Sequence, residues 1–225
     1  MSSASNWTHA DADLDTAAKT AAFARCINSG QSCIAAKRFI VVDAVHDEFL
    51  KRFVEAMRAQ RTGDPLDESN TVGPQARRDL RDDLHAQVQQ AVKQGAKCVL
   101  GGTVPEGPGA YYPPSVLTDV KRGNLAYAEE IFGPVAAVIR ARDENDAIAI
   151  ANDSRFGLGA SVWTSSAATA ERLVPRIEAG SVFVNSFVKS DARLPFGGIK
   201  HSGVGRELSA EGIHEFVNIK TVWMK

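Results

Sequence analysis

The stretch of sequence that decides the fold is Asn28-Ser29-Gly30-Gln31-Ser32-Cys33, together with the apolar run Phe39-Ile40-Val41-Val42 that follows it. An alanine-rich segment with Phe23 and Ile27 at i, i+4 spacing precedes the stretch and predicts a helix over 15–28. A helix, a short turn and a buried strand therefore follow one another directly around Cys33. This order is typical of a sheet whose strands are joined by helical crossovers.

The rest of the chain continues this alternation of helices and short apolar runs. Helical periodicity predicts further helices over 45–59, 76–94, 143–151 and 167–178. Buried strands are predicted at 39–42, 98–100, 135–140, 160–163 and 181–184. The pattern predicts an α/β fold with a mostly parallel open sheet flanked by helices. Within 167–178, Pro175 predicts a kink or an early end of the helix, and the glycine- and proline-rich segment 101–114 predicts a surface loop.

The two ends of the chain differ from this pattern. Residues 1–12 are small and polar without periodicity, and we expect them to be poorly ordered. The main domain is predicted over 13–208. In 209–225, Ser209 is placed to cap a short helix, and Val217 to Trp223 then alternate between apolar and polar residues. A terminal strand of this kind needs a sheet to complete, either in another subunit or as an edge strand of the chain's own sheet.

Composition narrows the classes of function. The 225 residues carry 26 basic and 27 acidic side chains without a long run of either sign, which gives no electrostatic reason to expect nucleic acid or a membrane surface as partner. No apolar stretch is long enough to span a bilayer, and no signal peptide is recognisable at the start. The three cysteines lack Cys-x-x-Cys spacing, which argues against a structural metal and for a reducing compartment, by default the cytoplasm.

Cys33 is the candidate nucleophile. A thiol at a helix-to-strand junction, preceded by glycine and small polar residues, is placed where backbone N–H groups can face its sulfur and favour the thiolate. A free cysteine is more often a small buried hydrophobe, and that alternative stays open on the residues alone.

Two later segments favour the interpretation of Cys33 as a nucleophile over that of a small buried hydrophobe. They are Glu129-Glu130-Ile131-Phe132-Gly133-Pro134 and Pro195-Phe196-Gly197-Gly198-Ile199-Lys200-His201-Ser202-Gly203-Val204-Gly205-Arg206-Glu207. Together with the cysteine segment, and in this order, they resemble the aldehyde dehydrogenase superfamily from about Ala12 to Trp223. The resemblance implies that family's catalytic-domain fold over 13–208. It also implies an oligomerisation strand within 209–225 that pairs across a subunit interface, and therefore a homodimer or a larger homo-oligomer.

The resemblance implies roles for individual residues. Cys33 would add to the carbonyl of a small aldehyde to give a thiohemiacetal, whose hydride passes to NAD or NADP, and the resulting thioester would be hydrolysed. Glu130 would accept hydrogen bonds from the nicotinamide ribose hydroxyls, and Phe132 would lie against that ribose. Developing negative charge on oxygen would be met by the Cys33 N–H and an upstream side-chain amide. Asn185 would support the active-site loop. Without the resemblance, Glu129 and Glu130 form a solvated pair at a helix end.

Substrate hints come from Ser190-Asp191-Ala192-Arg193, which is similar to the loop of succinate-semialdehyde dehydrogenases. Ser190 and Arg193 could hold a distal carboxylate by charge-assisted hydrogen bonds, and Phe196 with the glycine turns after it would shape the substrate tunnel. Arg193 as a plain surface charge and the glycines as ordinary tight turns are the alternatives. Many members of that subgroup carry an arginine at the position of Ile27, which cannot serve that purpose.

Two parts of the family pattern do not match this sequence. No Gly-x-Gly-x-x-Gly follows a strand, and the Glu-Leu-Gly-Gly segment that carries the family's general base has no counterpart in residues 1–11. We therefore expect the catalytic and C-terminal part of an aldehyde dehydrogenase, cut near the domain junction, with little or no turnover by itself. The alternatives are a non-catalytic fragment that keeps the fold and an oligomerisation surface, and an acylating relative that transfers its thioester to coenzyme A.

Overall fold

The fold is built on a seven-stranded sheet, seen in a computed structural model that describes residues 4–225. Its strands, in chain order, are β1 (Ala4–Thr8), β2 (Ala36–Val42), β3 (Lys97–Leu100), β4 (Ser115–Thr118), β5 (Val135–Ala141), β7 (Gly159–Trp163) and β8 (Ser181–Val184). Two further strands, β6 (Phe156–Gly157) and β9 (Ile199–Lys200), form a small antiparallel ribbon. The predicted α/β class with a mostly parallel sheet is confirmed.

The strands lie in the order β3-β4-β5-β2-β1-β7-β8. Every neighbouring pair is parallel except β3 with β4. The register of the central pair places Phe39 opposite Val138. Because parallel strands run the same way, the loops that precede them meet at one edge of the sheet, which we call the amino edge.

Helices cover both faces of the sheet. The helices are α1 (Leu14–Cys26), α2 (Asp43–Arg58), α3 (Arg78–Lys93), α4 (Leu125–Ala128), α5 (Glu144–Asn152), α6 (Ala167–Leu173) and α7 (Ser209–His214). One core joins α1 and α2 to the sheet, and the other joins α3, α4, α5 and α6 to its opposite face. In α2, which the helix predicted over 45–59 matches, Phe49, Phe53 and Met57 recur at one-turn intervals and are fully buried. As Pro175 predicts, α6 ends at Leu173, and a short 3₁₀ turn over Val174–Arg176 follows it.

The amino-terminal segment differs from the prediction. Residues 1–12 were expected to be poorly ordered, but Ala4–Thr8 forms β1, in the middle of the sheet between β2 and β7. Trp7 is 2% exposed and packs in the core. The polar side chains of Asn6 and Thr8 are also buried, so this strand shows no apolar alternation for a sequence pattern to detect. The first three residues of the predicted segment lie outside the described part of the chain.

The carboxyl-terminal segment is confirmed only for the presence of a short helix. The prediction that Ser209 caps this helix is wrong, because Ser209 is the first residue of α7, Leu208 before it makes no side-chain cap, and the Ser209 hydroxyl bonds to the Glu211 carboxylate instead. Residues 217–225 belong to neither sheet of the described chain. The alternative of an edge strand of the chain's own sheet is therefore wrong. Phe216, Ile219, Trp223 and Met224 are each at least 80% exposed. Pairing across a subunit interface stays a prediction.

No helix within residues 4–225 has both the length and the apolar character that crossing a bilayer demands.

Candidate active site

The three motifs meet at the amino edge of the sheet. Cys33 lies in the loop before β2, and Glu130 and Phe132 lie in the loop before β5. Residues of the third motif between 196 and 207 share a cleft with Cys33 and with Leu158, which directly precedes β7. The strands β5 and β2 are neighbours, so the first two loops lie side by side. The topology thus brings together segments that are about a hundred residues apart in the sequence.

The loop that carries Cys33 has an unusual backbone. Asn28, Ser29 and Gly30 have φ values of 49°, 55° and 75°, in the left-handed region. Side chains hold this conformation: Arg25 Nη2 donates to the Gly30 carbonyl at 2.7 Å, and Gln75 Nε2 donates to the Ser29 carbonyl at 3.1 Å. A turn of this shape fits the run of small and polar residues that the sequence places before the cysteine.

Gly30 is also the point at which the two loops touch. A Cβ at this position would lie 2.2 Å from the carbonyl carbon and oxygen of Gly133 and 2.5 Å from the nitrogen of Pro134. Only glycine permits such an approach of backbone to backbone. Gly30 therefore fixes how closely the cysteine loop packs against the Glu130–Pro134 segment.

Cys33 is exposed and lines a cleft of about 470 Å³. The other walls of the cleft include Leu158, Phe196 and the glycine-rich turn up to Arg206. Cys26, by contrast, is buried, and burial raises the pKa of its thiol to about 12. The alternative of a small buried hydrophobe thus describes Cys26 and not Cys33. An accessible thiol in a cleft beside a buried aromatic ring is suited to attack on a small electrophile.

Glu130 and Phe132 line a second, larger cleft of about 720 Å³ on the other side of the cysteine loop, where Gln31 and Gln75 form part of the wall. Phe132 is 45% exposed and offers a ring surface to the cleft. A carboxylate that can accept two hydroxyl donors next to an open aromatic ring fits the ribose and nicotinamide of a dinucleotide. The residues present therefore suit the cofactor that the resemblance implies.

Two buried basic residues, Lys37 and Arg25, donate hydrogen bonds to the cysteine loop. The sequence motifs identify neither of them. Lys37, at 3% exposure, lies 3.1 Å from Glu130 Oε1 through its Nζ. Arg25 is fully buried, and burial lowers its pKa to about 10. A signal was available: Lys37 and Arg38 stand at the start of an apolar strand, and Arg25 stands among alanines without an acidic residue one turn away. Lysine and arginine are almost never fully buried unless they are paired, so a basic residue in such a position indicates a specific partner.

The predicted substrate loop, residues 190–193, lies outside the Cys33 cleft. Arg193 is 86% exposed and forms a two-bonded ion pair with Asp191, and Ser190 is exposed. Neither residue lines the Cys33 cleft, whereas Phe196 does. Arg193 holds the pKa of the Asp191 carboxyl well below its usual range.

Asn185 has a local structural task. Its Oδ1 accepts from the Thr164 N–H at 3.0 Å, and its Nδ2 donates to the Thr164 carbonyl at 2.8 Å. These bonds tie the ends of β8 and β7 together on the side of the sheet away from the amino edge. The predicted support for an active-site loop is not among its contacts.

No group of histidine, cysteine, aspartate and glutamate side chains within residues 4–225 is arranged to hold a metal ion.

Comparison with known proteins agrees with the geometry. The model of the aldehyde dehydrogenase family matches residues 2–222. A succinate semialdehyde dehydrogenase (NAD(P)+) of Escherichia coli K12 is 51% identical over 213 residues, which cover 95% of this chain and 46% of the relative. A probable succinate-semialdehyde dehydrogenase (NADP(+)) of Synechocystis is 52% identical over 214 residues, covering 95% of this chain and 47% of the relative.

Among solved structures, succinic semialdehyde dehydrogenase from Streptococcus pyogenes in complex with NADP+ superposes with a TM-score of 0.95 at 37% identity, covering 99% of this chain and 49% of that one. Lactaldehyde dehydrogenase from Escherichia coli gives a TM-score of 0.95 at 33% identity, covering 99% and 47%. The chain therefore spans about half the length of the curated relatives that it matches.

Proposed function

The chain belongs to the aldehyde dehydrogenase family, and on that premise we propose that it carries the nucleophile of an NAD- or NADP-dependent oxidation of an aldehyde to a carboxylic acid. Cys33 is that nucleophile. The observation that carries the proposal is its exposed thiol at the amino edge, in a cleft with Phe196 and beside the loop of Glu130. An electrophile in this cleft meets a sulfur that has no competing disulfide partner.

The chain's own residues would act in sequence. The Cys33 sulfur attacks the aldehyde carbon and forms a thiohemiacetal, and the backbone N–H of Cys33 faces the oxygen on which charge develops. Glu130 and Phe132 would hold the nicotinamide ribose on the other side of the cysteine loop, and a nicotinamide bound there would supply the acceptor for the hydride that leaves the thiohemiacetal carbon. Cys33 keeps the acyl group as a thioester until water releases the acid.

Succinic semialdehyde is the proposed substrate. The relatives at about half identity bear that activity in their names. Ser190 and Arg193 are the proposed partners of its distal carboxylate. Because neither residue lines the Cys33 cleft, this proposal requires the carboxylate to reach the loop outside that cleft and to replace Asp191 in the ion pair with Arg193.

A turnover assay tests the proposal directly. The purified chain is incubated with succinic semialdehyde and either NAD or NADP, and reduced cofactor is followed by absorbance, with Cys33→Ala as control. If the wild-type chain reduces the cofactor and Cys33→Ala does not, the result supports the proposed enzymatic activity. A product that forms only when coenzyme A is added identifies an acylating relative.

A second candidate function is a chain that keeps the fold and the thiol without turnover. The observation that favours it is the share of the relatives that the chain covers, about half of their length. Under this proposal succinic semialdehyde still protects Cys33 from alkylation, because formation of the thiohemiacetal needs no cofactor. Arg193→Ala should weaken protection by succinic semialdehyde and leave protection by butanal, which lacks the carboxylate, unchanged. Absence of any protection would contradict the role of Cys33 itself.

The exposed apolar tail supports the proposal of a homodimer or a larger homo-oligomer. Ile219 and Trp223, at 87% and 80% exposure, leave an apolar surface that a second copy can cover. Light scattering coupled to size exclusion should show an assembly for the full chain and a monomer after removal of residues 216–225. An unchanged mass would reject the tail as the contact.

A further inference from the structure

Lys37 occupies an unusual position between the two clefts. Its Nζ lies 3.1 Å from Glu130 Oε1 and donates to the carbonyl oxygens of Ser32 at 3.1 Å and Ala35 at 3.0 Å. The carbonyl oxygen of Cys33 lies 3.5 Å away. An ammonium group has three N–H donors, so its whole capacity is directed at Glu130 and at the cysteine loop.

Placing this charge in the interior is unfavourable. Burial, followed by the neighbouring charge of Arg25, lowers the pKa of Lys37 to about 8, while Glu130 and the Cys33 sulfur raise it. Arg25 and Lys37 against one carboxylate leave the buried cluster with a net positive charge. A methionine of similar length would fill the space without the cost of desolvation. Packing alone therefore does not account for a lysine here.

The ammonium group of Lys37 also lies close to Cys33, whose carbonyl oxygen is 3.5 Å from Nζ. A positive charge at this position favours a thiolate over a thiol. Glu130 opposes this effect because its negative charge neutralises the ammonium. The carboxylate that faces the cofactor cleft and the thiol that faces the substrate cleft are thus linked through one side chain.

We propose that Lys37 is a positioning residue that ties the Glu130 carboxylate to the backbone of the cysteine loop and supplies the positive charge that activates Cys33. The inference rests on the proposed function, since it assumes the roles given there to Cys33 and Glu130. It adds a residue that neither the sequence motifs nor the names of the relatives assign.

Other charged groups near Cys33 are common to every variant described below. Arg25 lies on α1 and donates to the Gly30 carbonyl in the cysteine loop. On the far wall of the substrate cleft stand Arg206, Glu207 and Glu215. Because these groups do not change, differences between variants report the Lys37–Glu130 pair.

The test measures alkylation of Cys33 by iodoacetamide in the full chain over roughly pH 6 to 10. Fragment mass spectrometry separates Cys33 from Cys26 and Cys98, so the assay needs neither cofactor nor turnover. In Lys37→Met, the midpoint of the pH–rate profile should rise by about half a unit or more, and the rate at neutral pH should fall by about threefold or more. Loss of the cation and exposure of the thiol to an unneutralised Glu130 act in the same direction.

Glu130→Gln should give the opposite result. Without the carboxylate the ammonium is no longer neutralised, so the midpoint should fall and the rate at neutral pH should rise. The double variant should lie between the two single variants, as expected for a charge pair that acts on a third group. Circular dichroism shows whether Lys37→Met is folded. If it is not, the shift in Glu130→Gln still tests the proposal, because Glu130 lies in a loop rather than in the core strand that carries Lys37.

The matched control is Arg38→Met. Arg38 is the next residue of β2 and is equally buried, but its Nη2 donates to the Ile150 carbonyl at 2.6 Å on the opposite face of the sheet. We expect no shift of the Cys33 profile in this variant, and Lys37→Arg should restore most of the wild-type profile. Shifts of the same sign in Lys37→Met and Glu130→Gln, no shift in either, or an equal shift in Arg38→Met would overturn the proposal. Opposite shifts without protection by an aldehyde would reject the proposed function and leave the charge link intact.

Discussion

The substitution Gly30→Ala tests the contact on which the site depends. Gly30 has a φ of +75°, and an added Cβ would lie 2.2 Å from the carbonyl carbon and oxygen of Gly133. These are backbone atoms that cannot rotate away, and Pro134 at 2.5 Å stiffens the same segment. The added methyl group must therefore push the cysteine loop and the Glu130 loop apart.

The expected loss has two parts. A left-handed φ costs an alanine roughly 1 to 2 kcal/mol, and forcing a methyl group into a filled space costs roughly 1 to 3 kcal/mol. Gly30→Ala should therefore lower the free energy of unfolding by about 2 to 5 kcal/mol. Gly95→Ala is the matched control, because Gly95 has a φ of +99° and nothing within 4 Å of its added Cβ. That variant should show the backbone part alone, roughly 1 to 2 kcal/mol.

Urea unfolding followed by tryptophan fluorescence measures both losses, since Trp7 and Trp163 are each 2% exposed and report on the core. Gly30→Ala should also change the rate of Cys33 alkylation, whereas Gly95→Ala should not. Equal stability losses in the two variants would refute the argument. They would mean that the loops are not in backbone contact at Gly30.

Three further predictions follow from single contacts. Asn185 has a φ of 51°, and Asn185→Ala removes both of its side-chain hydrogen bonds to Thr164. Urea unfolding should show that the free energy of unfolding falls by about 2 kcal/mol. Cys26 has its pKa raised by burial from 9.0 to about 12, so its contribution is complete below pH 9 and is lost as the pH rises towards 12. The free energy of unfolding should therefore fall less steeply above pH 9 in Cys26→Ala than in the wild type. Removal of residues 1–10 deletes β1 with Trp7, and the cooperative urea transition should disappear; a transition with unchanged midpoint would contradict the central position of β1.

The outer elements of the fold were predictable from the sequence because their apolar residues repeat at a regular interval. Leu84 and Val88 in α3 recur at one turn and are buried, and the predicted strand over 181–184 coincides with β8. Hydrophobic burial on one face leaves this periodic signal in the sequence. The resemblance to the aldehyde dehydrogenases likewise indicated Cys33, Glu130 and Phe196, all of which line the two clefts.

The remaining features depend on contacts between distant residues. The local sequence Asn6-Trp7-Thr8 does not indicate a strand, because its polar side chains are buried along with Trp7 once β1 pairs with β2 and β7 inside the sheet. Lys37 is similar, since its partner Glu130 is 93 positions further along the chain (130 − 37). In both cases tertiary packing overrides local preference, and only the assembled sheet shows why the residue is there.

The strand that the sequence pattern missed also determines the geometry of the site. The cysteine loop enters β2, while Leu158, on the wall of the same cleft, enters β7, and β1 lies between these two strands. Neighbouring strands are roughly 4.8 Å apart, so β1 holds the two loops roughly 10 Å apart at the amino edge. Direct pairing of β2 with β7 would halve that separation and close the cleft onto the Cys33 side chain. The separation between Cys33 and the Leu158 wall is thus set by a short strand that contributes no residue to the cleft.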